Sequence, residues 1–145
     1  MAGAGACAQG WPARPVKLVV GFSPGGPNDL VARPVAQKLN DILGAPFVVD
    51  YHPGANGNIG NELVARSAPD GYTLLVVSSA ITISPSTYAK LPFDVLRDFT
   101  PVSLLSNSDI VLIANPTVPV KTMKDIVALA RTRPGKLNFA STGTG

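Results

Sequence analysis

Ser23 stands in Gly21-Phe22-Ser23-Pro24-Gly25, the G-x-S-x-G spacing of a nucleophile elbow, and a serine held on such a strand-to-helix turn can attack an acyl carbon. Two features oppose that chemistry. The residue after the nucleophile should donate its backbone N–H to the oxyanion, and here it is Pro24, which has none. The histidine of such an enzyme should follow the acid late in the sheet, whereas the one histidine, His52, comes early and beside Pro53 reads as a surface turn residue. An acyl hydrolase using Ser23 is the alternative reading of the chain.

The same turn supports anion capture. Ser23, Pro24, Gly25, Gly26, Pro27, Asn28 and Asp29 follow a strand-like run at 16–22, and a strand that turns through glycines into a helix aims unpaired N–H groups at one point. A second turn of this kind, Ser141, Thr142, Gly143 and Thr144 before Gly145, follows the run at 137–140. Two such turns facing each other would clamp a carboxylate. Asp29, in the first helical turn, has two readings: a carboxylate that complements the helix dipole, or an acceptor for an ammonium or hydroxyl of a ligand. Ser78 and Ser79 close a further strand-like run, at the carboxyl end where open α/β sheets bind ligands. The nucleotide-binding patterns G-x-G-x-x-G and G-x-x-x-x-G-K-[ST] are absent, and no lysine follows the loop to meet a phosphate.

Those turns need strands and helices to hold them, and the chain supplies both in alternation, the mark of an α/β protein with a mainly parallel sheet. Strands are expected at 16–22, 46–51 and 72–77, with further apolar runs at 102–105 and 110–114 and a last strand from about 137. A helix from Asn28 or Asp29 to Leu43 carries Val31, Val35, Leu39 and Ile42 on one face, with Gly44 ending it. Pro34 lies inside that pattern, so a kink or a late start is expected. Asn58 can cap a short helix with Ile59, Leu63 and Val64, and a turn or short helix follows near 84–90. Thr122 opens another helix with Asp125 three residues on, a capping-box pair, and Met123, Ile126, Val127 and Ala130 share one of its faces.

The 145 residues are long enough for one ordinary domain with a core, and 46% of them are hydrophobic. The net charge is +3, but the basic residues are scattered singly with no run to track a phosphate backbone, which argues against a nucleic-acid partner. One cysteine, Cys7, and one histidine exclude a disulfide framework and make a zinc centre improbable; neither metal nor cofactor is expected. No stretch approaches the roughly 20 apolar residues of a membrane span. The start, with Ala6-Cys7-Ala8, fits a small-x-small export cleavage site, so residues 1–13 read as the remnant of a signal peptide or a disordered leader.

Five blocks in register carry a resemblance. They are Phe22-Ser23-Pro24-Gly25-Gly26-Pro27-Asn28-Asp29; Pro53-Gly54-Ala55 with Gly57-Asn58-Ile59-Gly60; Ala68-Pro69-Asp70-Gly71-Tyr72-Thr73-Leu74-Leu75; Leu91-Pro92-Phe93-Asp94 with Asp98-Phe99-Thr100-Pro101-Val102; and the run from Arg133-Pro134-Gly135-Lys136 to Gly145. After about Trp11 the chain resembles the front half of a Bug-type solute-binding protein, the extracytoplasmic receptor of a tripartite tricarboxylate transporter. The resemblance implies a type II periplasmic-binding-protein-like α/β fold, with an incomplete first lobe at 14–105 and the beginning of a second lobe at 106–145. It implies no catalytic residue and a periplasmic, exported protein that captures a small carboxylate (a dicarboxylate, tricarboxylate, amino acid or relative) and delivers it to membrane permease subunits. On the same footing, residues 23–29 are the first-lobe binding loop and residues 141–145 the second-lobe loop. His52 stands where the family often has asparagine or arginine, and Asn56 replaces a frequent glycine.

Overall fold

The structure is a computed structural model, and it describes residues 10–140. These fall into two compact units, the first running through Leu105 and the second starting at Ser106.

The first unit is built on a three-stranded parallel sheet of order β2-β1-β3, with β1 at Val16–Val20, β2 at Phe47–Tyr51 and β3 at Thr73–Val76. β1 is central, its Val16 opposite Phe47 and its Leu18 opposite Leu74. A central strand of a parallel sheet is covered on both faces, which is why four of its five residues are apolar and buried. Val16, Leu18 and Val20 alternate onto the face that packs Ala32, Ala36, Phe47 and Val76. The expected α/β class with a parallel sheet is thus observed. Strand β3 is shorter than the 72–77 expected, and only Val76 of it is buried.

Helix α1 (Pro27–Leu43) begins with Pro27 in its first turn, where a missing N–H costs nothing, and ends at Gly44 in the left-handed region. It runs through Pro34 without a late start. Pro34 and Leu30 lie on the exposed side, so the Leu30 carbonyl that loses its partner faces water. The buried stripe differs from the one expected. Ala32 and Ala36 are buried, Val35 and Leu39 pack at the margin, and Ile42 is exposed. Small side chains let the helix lie close on the sheet, and the larger ones splay to its edges.

A 3-10 turn (Ala55–Gly57) leads into α2 (Asn58–Ala65). Asn58 is the first helical residue and not the cap; Gly57, with φ 89°, takes that place. The Asn58 side chain is turned inward instead, where its Oδ1 accepts hydrogen bonds from Asn61 Nδ2 at 3.3 Å and Ser84 Oγ at 3.2 Å. Ser84 belongs to α3 (Ala80–Thr87), which follows β3. At the sheet's other end Trp11 packs edge-on against Phe47, and the Ala13 N–H donates to the Tyr72 hydroxyl.

The second unit contains α4 (Met123–Thr132), opened by the capping box expected at Thr122 and Asp125. The Thr122 Oγ1 accepts the Asp125 N–H, and the Asp125 carboxylate accepts the Thr122 N–H. No helical residue there is buried. The runs at 102–105, 110–114 and 137–140 form no strand. A strand exists only where its N–H and C=O groups meet a partner ladder, and none pairs with these runs among the described residues.

Candidate functional site

All three strands are parallel, so their carboxyl ends share one edge of the sheet. The turn at 23–28 leaves β1 there, and Ser78 and Ser79 leave the neighbouring β3 at the same edge. The topology therefore brings these two sequence-derived groups to one side of the first unit. Ser141, Thr142, Gly143 and Thr144 lie outside the described residues.

Gly25 adopts φ 84°, a left-handed conformation that a side chain would strain, and it follows Pro24 as the second central residue of a tight turn. Gly26 (φ −81°, ψ 176°) is the N-cap of α1 and its side of the turn is ordinary extended backbone. The first-turn N–H groups are then accounted for. Pro27 has none, Asp29 and Leu30 both donate to the Gly26 carbonyl, and Asn28 donates to nothing among the described residues. The N-cap amide of Gly26 and the amide of Asn28 are therefore both without a partner among the described residues at the positive end of a 17-residue helix, in a turn that also carries the exposed Ser23.

Asp29 is 3% exposed, and its carboxylate is fully engaged within the chain. Oδ2 accepts the Gly25 N–H at 2.6 Å, both oxygens accept Arg33 Nε at 2.7 and 2.9 Å, and the Tyr51 hydroxyl donates to Oδ1. The Arg33 guanidinium first, then the Tyr51 hydroxyl and the Gly25 amide, hold the carboxyl down at about 2. The same contact raises the Tyr51 phenol. Of the two readings of Asp29, this geometry favours the one within the turn: it does not cap the helix through the N-cap amide but reaches one residue further back, to Gly25. An ionised carboxylate in the first helical turn would repel an incoming anion; the Arg33 guanidinium next to it offsets that charge.

The Ser23 hydroxyl makes no hydrogen bond to a base among the described residues, and Pro24 offers no oxyanion donor. His52 is half-buried, unlike the surface residue expected, with Nε2 3.1 Å from Asp50 Oδ1 and without hydrogen-bond geometry. The Ser78 hydroxyl accepts the Ala80 N–H at 3.4 Å, and Ser79 leads into α3 with its side chain free of any cap bond.

Sequence reasoning passed over Arg33, Tyr51, Asn61 and Ser84. The Asp29 and Arg33 pair was legible, since four residues is the spacing of helix neighbours. Tyr51 was not: it meets Asp29 only because β2 is registered beside β1, with Val20 opposite Tyr51.

Comparison with known proteins places the chain in a receptor family. Residues 31–145 match the family model described as the tripartite tricarboxylate transporter family receptor. The chain is similar to protein BugT of Bordetella pertussis, 40% identical over 140 residues, a stretch that takes in 95% of this chain and 43% of that one. Among solved structures it is similar to an R. palustris protein with adipate, at TM-score 0.72 and 34% identity over 88% of this chain and 43% of that one. It is similar too to MatC from Rhodopseudomonas palustris with bound malate, at TM-score 0.72 and 32% identity over 84% and 42%. The chain thus spans about two-fifths of the length of the relatives it matches.

Proposed function

We propose, because the chain belongs to the tripartite tricarboxylate transporter receptor family, that it serves as the solute-binding component of an uptake system, holding a small carboxylate with no catalytic step. The observation that carries this reading is the turn at 23–28. It presents the unpaired Asn28 amide and the Ser23 hydroxyl at a helix N-terminus, with the one nearby acid already matched by Arg33. Donors in that arrangement suit a carboxylate, and two relatives of this fold were solved with the dicarboxylates adipate and malate. Ser78 and Ser79 add hydroxyls at the same sheet edge. We assign the rest of the clamp to Ser141, Thr142, Gly143 and Thr144, with residues 14–105 as the first lobe and residues from 106 as the start of the second. The working location is the periplasm and the receiving partner a membrane permease, and no helix of the described residues is long and apolar enough to cross a membrane.

Calorimetric titration with adipate, malate, citrate and glutamate tests the reading, with p-nitrophenyl acetate as the hydrolase control. Saturable heat from a carboxylate with no ester turnover is expected; turnover that vanishes in Ser23→Ala overturns it. Gly26→Val refines the test. Its φ of −81° accepts any residue and an added Cβ would meet only the Ser23 carbonyl oxygen, at 3.4 Å, so the fold should persist while the branched side chain covers the turn. Carboxylate affinity is expected to fall at least about tenfold, roughly 1.4 kcal/mol; unchanged affinity removes the turn from the site.

A further inference from the structure

The Asp29 carboxylate joins three elements that the chain separates: the turn after β1 through Gly25, the second turn of α1 through Arg33, and the end of β2 through Tyr51. Tyr51 is well placed for this. It lies opposite Val20, the last residue of β1, and shares a face of β2 with Phe47 and Val49, the face that packs against the core under α1. Its ring therefore packs at the margin of that core, and its hydroxyl reaches the acid. Arg33 shares Oδ1 with it, its guanidinium carbon lying over the Tyr51 ring 6.0 Å from the ring centre, so both side chains hold the acid while Oδ2 also accepts the Gly25 amide.

We propose that Tyr51 and Arg33 are positioning residues of the ligand-binding turn: together they fix the Asp29 carboxylate on the Gly25 amide, and so set the direction in which the Asn28 amide points. The inference rests on the reading of that turn as a carboxylate site. Without the grip, Asp29 is a short charged side chain free to swing toward the α1 N-terminus, where it would compete for the donor that the ligand needs. With it, the carboxylate takes the Gly25 amide, whose left-handed residue is the most deformable point of the turn. Each hydroxyl or guanidinium bond to an ionised carboxylate is among the stronger hydrogen bonds of a protein.

The test separates the positioning role from general stability. In the full chain, amide exchange followed by NMR should speed up about tenfold at Gly25 in Tyr51→Phe and in Arg33→Gln, while the amides of Val19 and Leu74 in the sheet keep their rates. Arg33→Lys, which keeps a cation at the same helical spacing, should restore part of the protection. Adipate affinity should fall several-fold in Tyr51→Phe. Unchanged Gly25 exchange in both variants overturns the proposal. So does an equal rise at Gly25, Val19 and Leu74, which marks mere destabilisation, or faster Gly25 exchange with unaltered adipate affinity. Should the unaltered chain bind neither adipate nor malate, the receptor reading fails on its own, and the selective exchange at Gly25 still decides whether Tyr51 and Arg33 hold the turn.

Discussion

Asp29 is the residue on which the candidate site turns, and its ionisation is measurable from outside. Its pKa falls from the ordinary carboxylate value of 3.8 to about 2 in the folded chain. A carboxyl depressed by folding contributes stability above its unfolded pKa, and the contribution disappears as pH falls through the folded value. The stabilisation from Asp29 is therefore whole above pH 3.8 and lost on the way down to about 2. Acid unfolding of Asp29→Asn, followed by circular dichroism, should show a shallower fall of stability across that window than the unaltered chain. Equal slopes would mean that the Arg33 and Tyr51 contacts do not persist in solution. The acid was visible in the sequence as a first-turn residue and Arg33 stood at helical spacing from it, but Tyr51 was not visible, and a single residue type cannot tell a capping carboxylate from a ligand acceptor. What decides is how many donors the neighbouring strand brings, and Tyr51 is brought by register.

At the level of elements, the site edge depends on how closely α2 approaches the end of β1. An added Cβ on Gly21 would lie 2.7 Å from the Cα and carbonyl oxygen of Gly57, and one on Gly60 would lie 2.9 Å from the Gly21 Cα. Both obstacles are backbone, which cannot swing aside as a side chain end can. Gly21→Ala should therefore lower the thermal midpoint, at a cost of about 1 to 3 kcal/mol, as in other overpacked cores. A midpoint unchanged within error would show that α2 can retreat from the sheet. The alternation of strands and helices, the α1 end at Gly44 and the Thr122 capping box were all readable, because each is a local signal within a few residues. The buried stripe of α1 was not. Periodicity marks the largest apolar residues, whereas close packing on a sheet selects the smallest, and Ala32 and Ala36 carry little weight in a hydropathy pattern.

Over the whole chain the two units differ in how much they hide. The first has a sheet with a core cluster; in the second Ile110 is fully exposed, Phe139 is 90% exposed, and no residue of α4 is buried. Backbone hydrogen bonds that no apolar layer covers open at little cost. Hydrogen exchange read by mass spectrometry should find the amides of α4 exchanging orders of magnitude faster than those of β1, and a hydrophobic dye should bind the chain. Protection of α4 equal to that of β1 would show that something covers this unit in solution. The family resemblance was carried by blocks spread through both units, whereas the strand from about 137 was read from composition alone, and strand composition without a partner backbone makes no ladder. The strand order β2-β1-β3 has a kinetic side. No two consecutive strands of this sheet are joined by a hairpin, and β1 finds its partners only at Phe47 and beyond, and again at Thr73 and beyond. The strand that becomes the centre is made first and must wait, unpaired, until residues some distance downstream have left the ribosome. Loop closure then precedes any reward from pairing, so refolding from denaturant will be slow beside that of a helical chain of equal length.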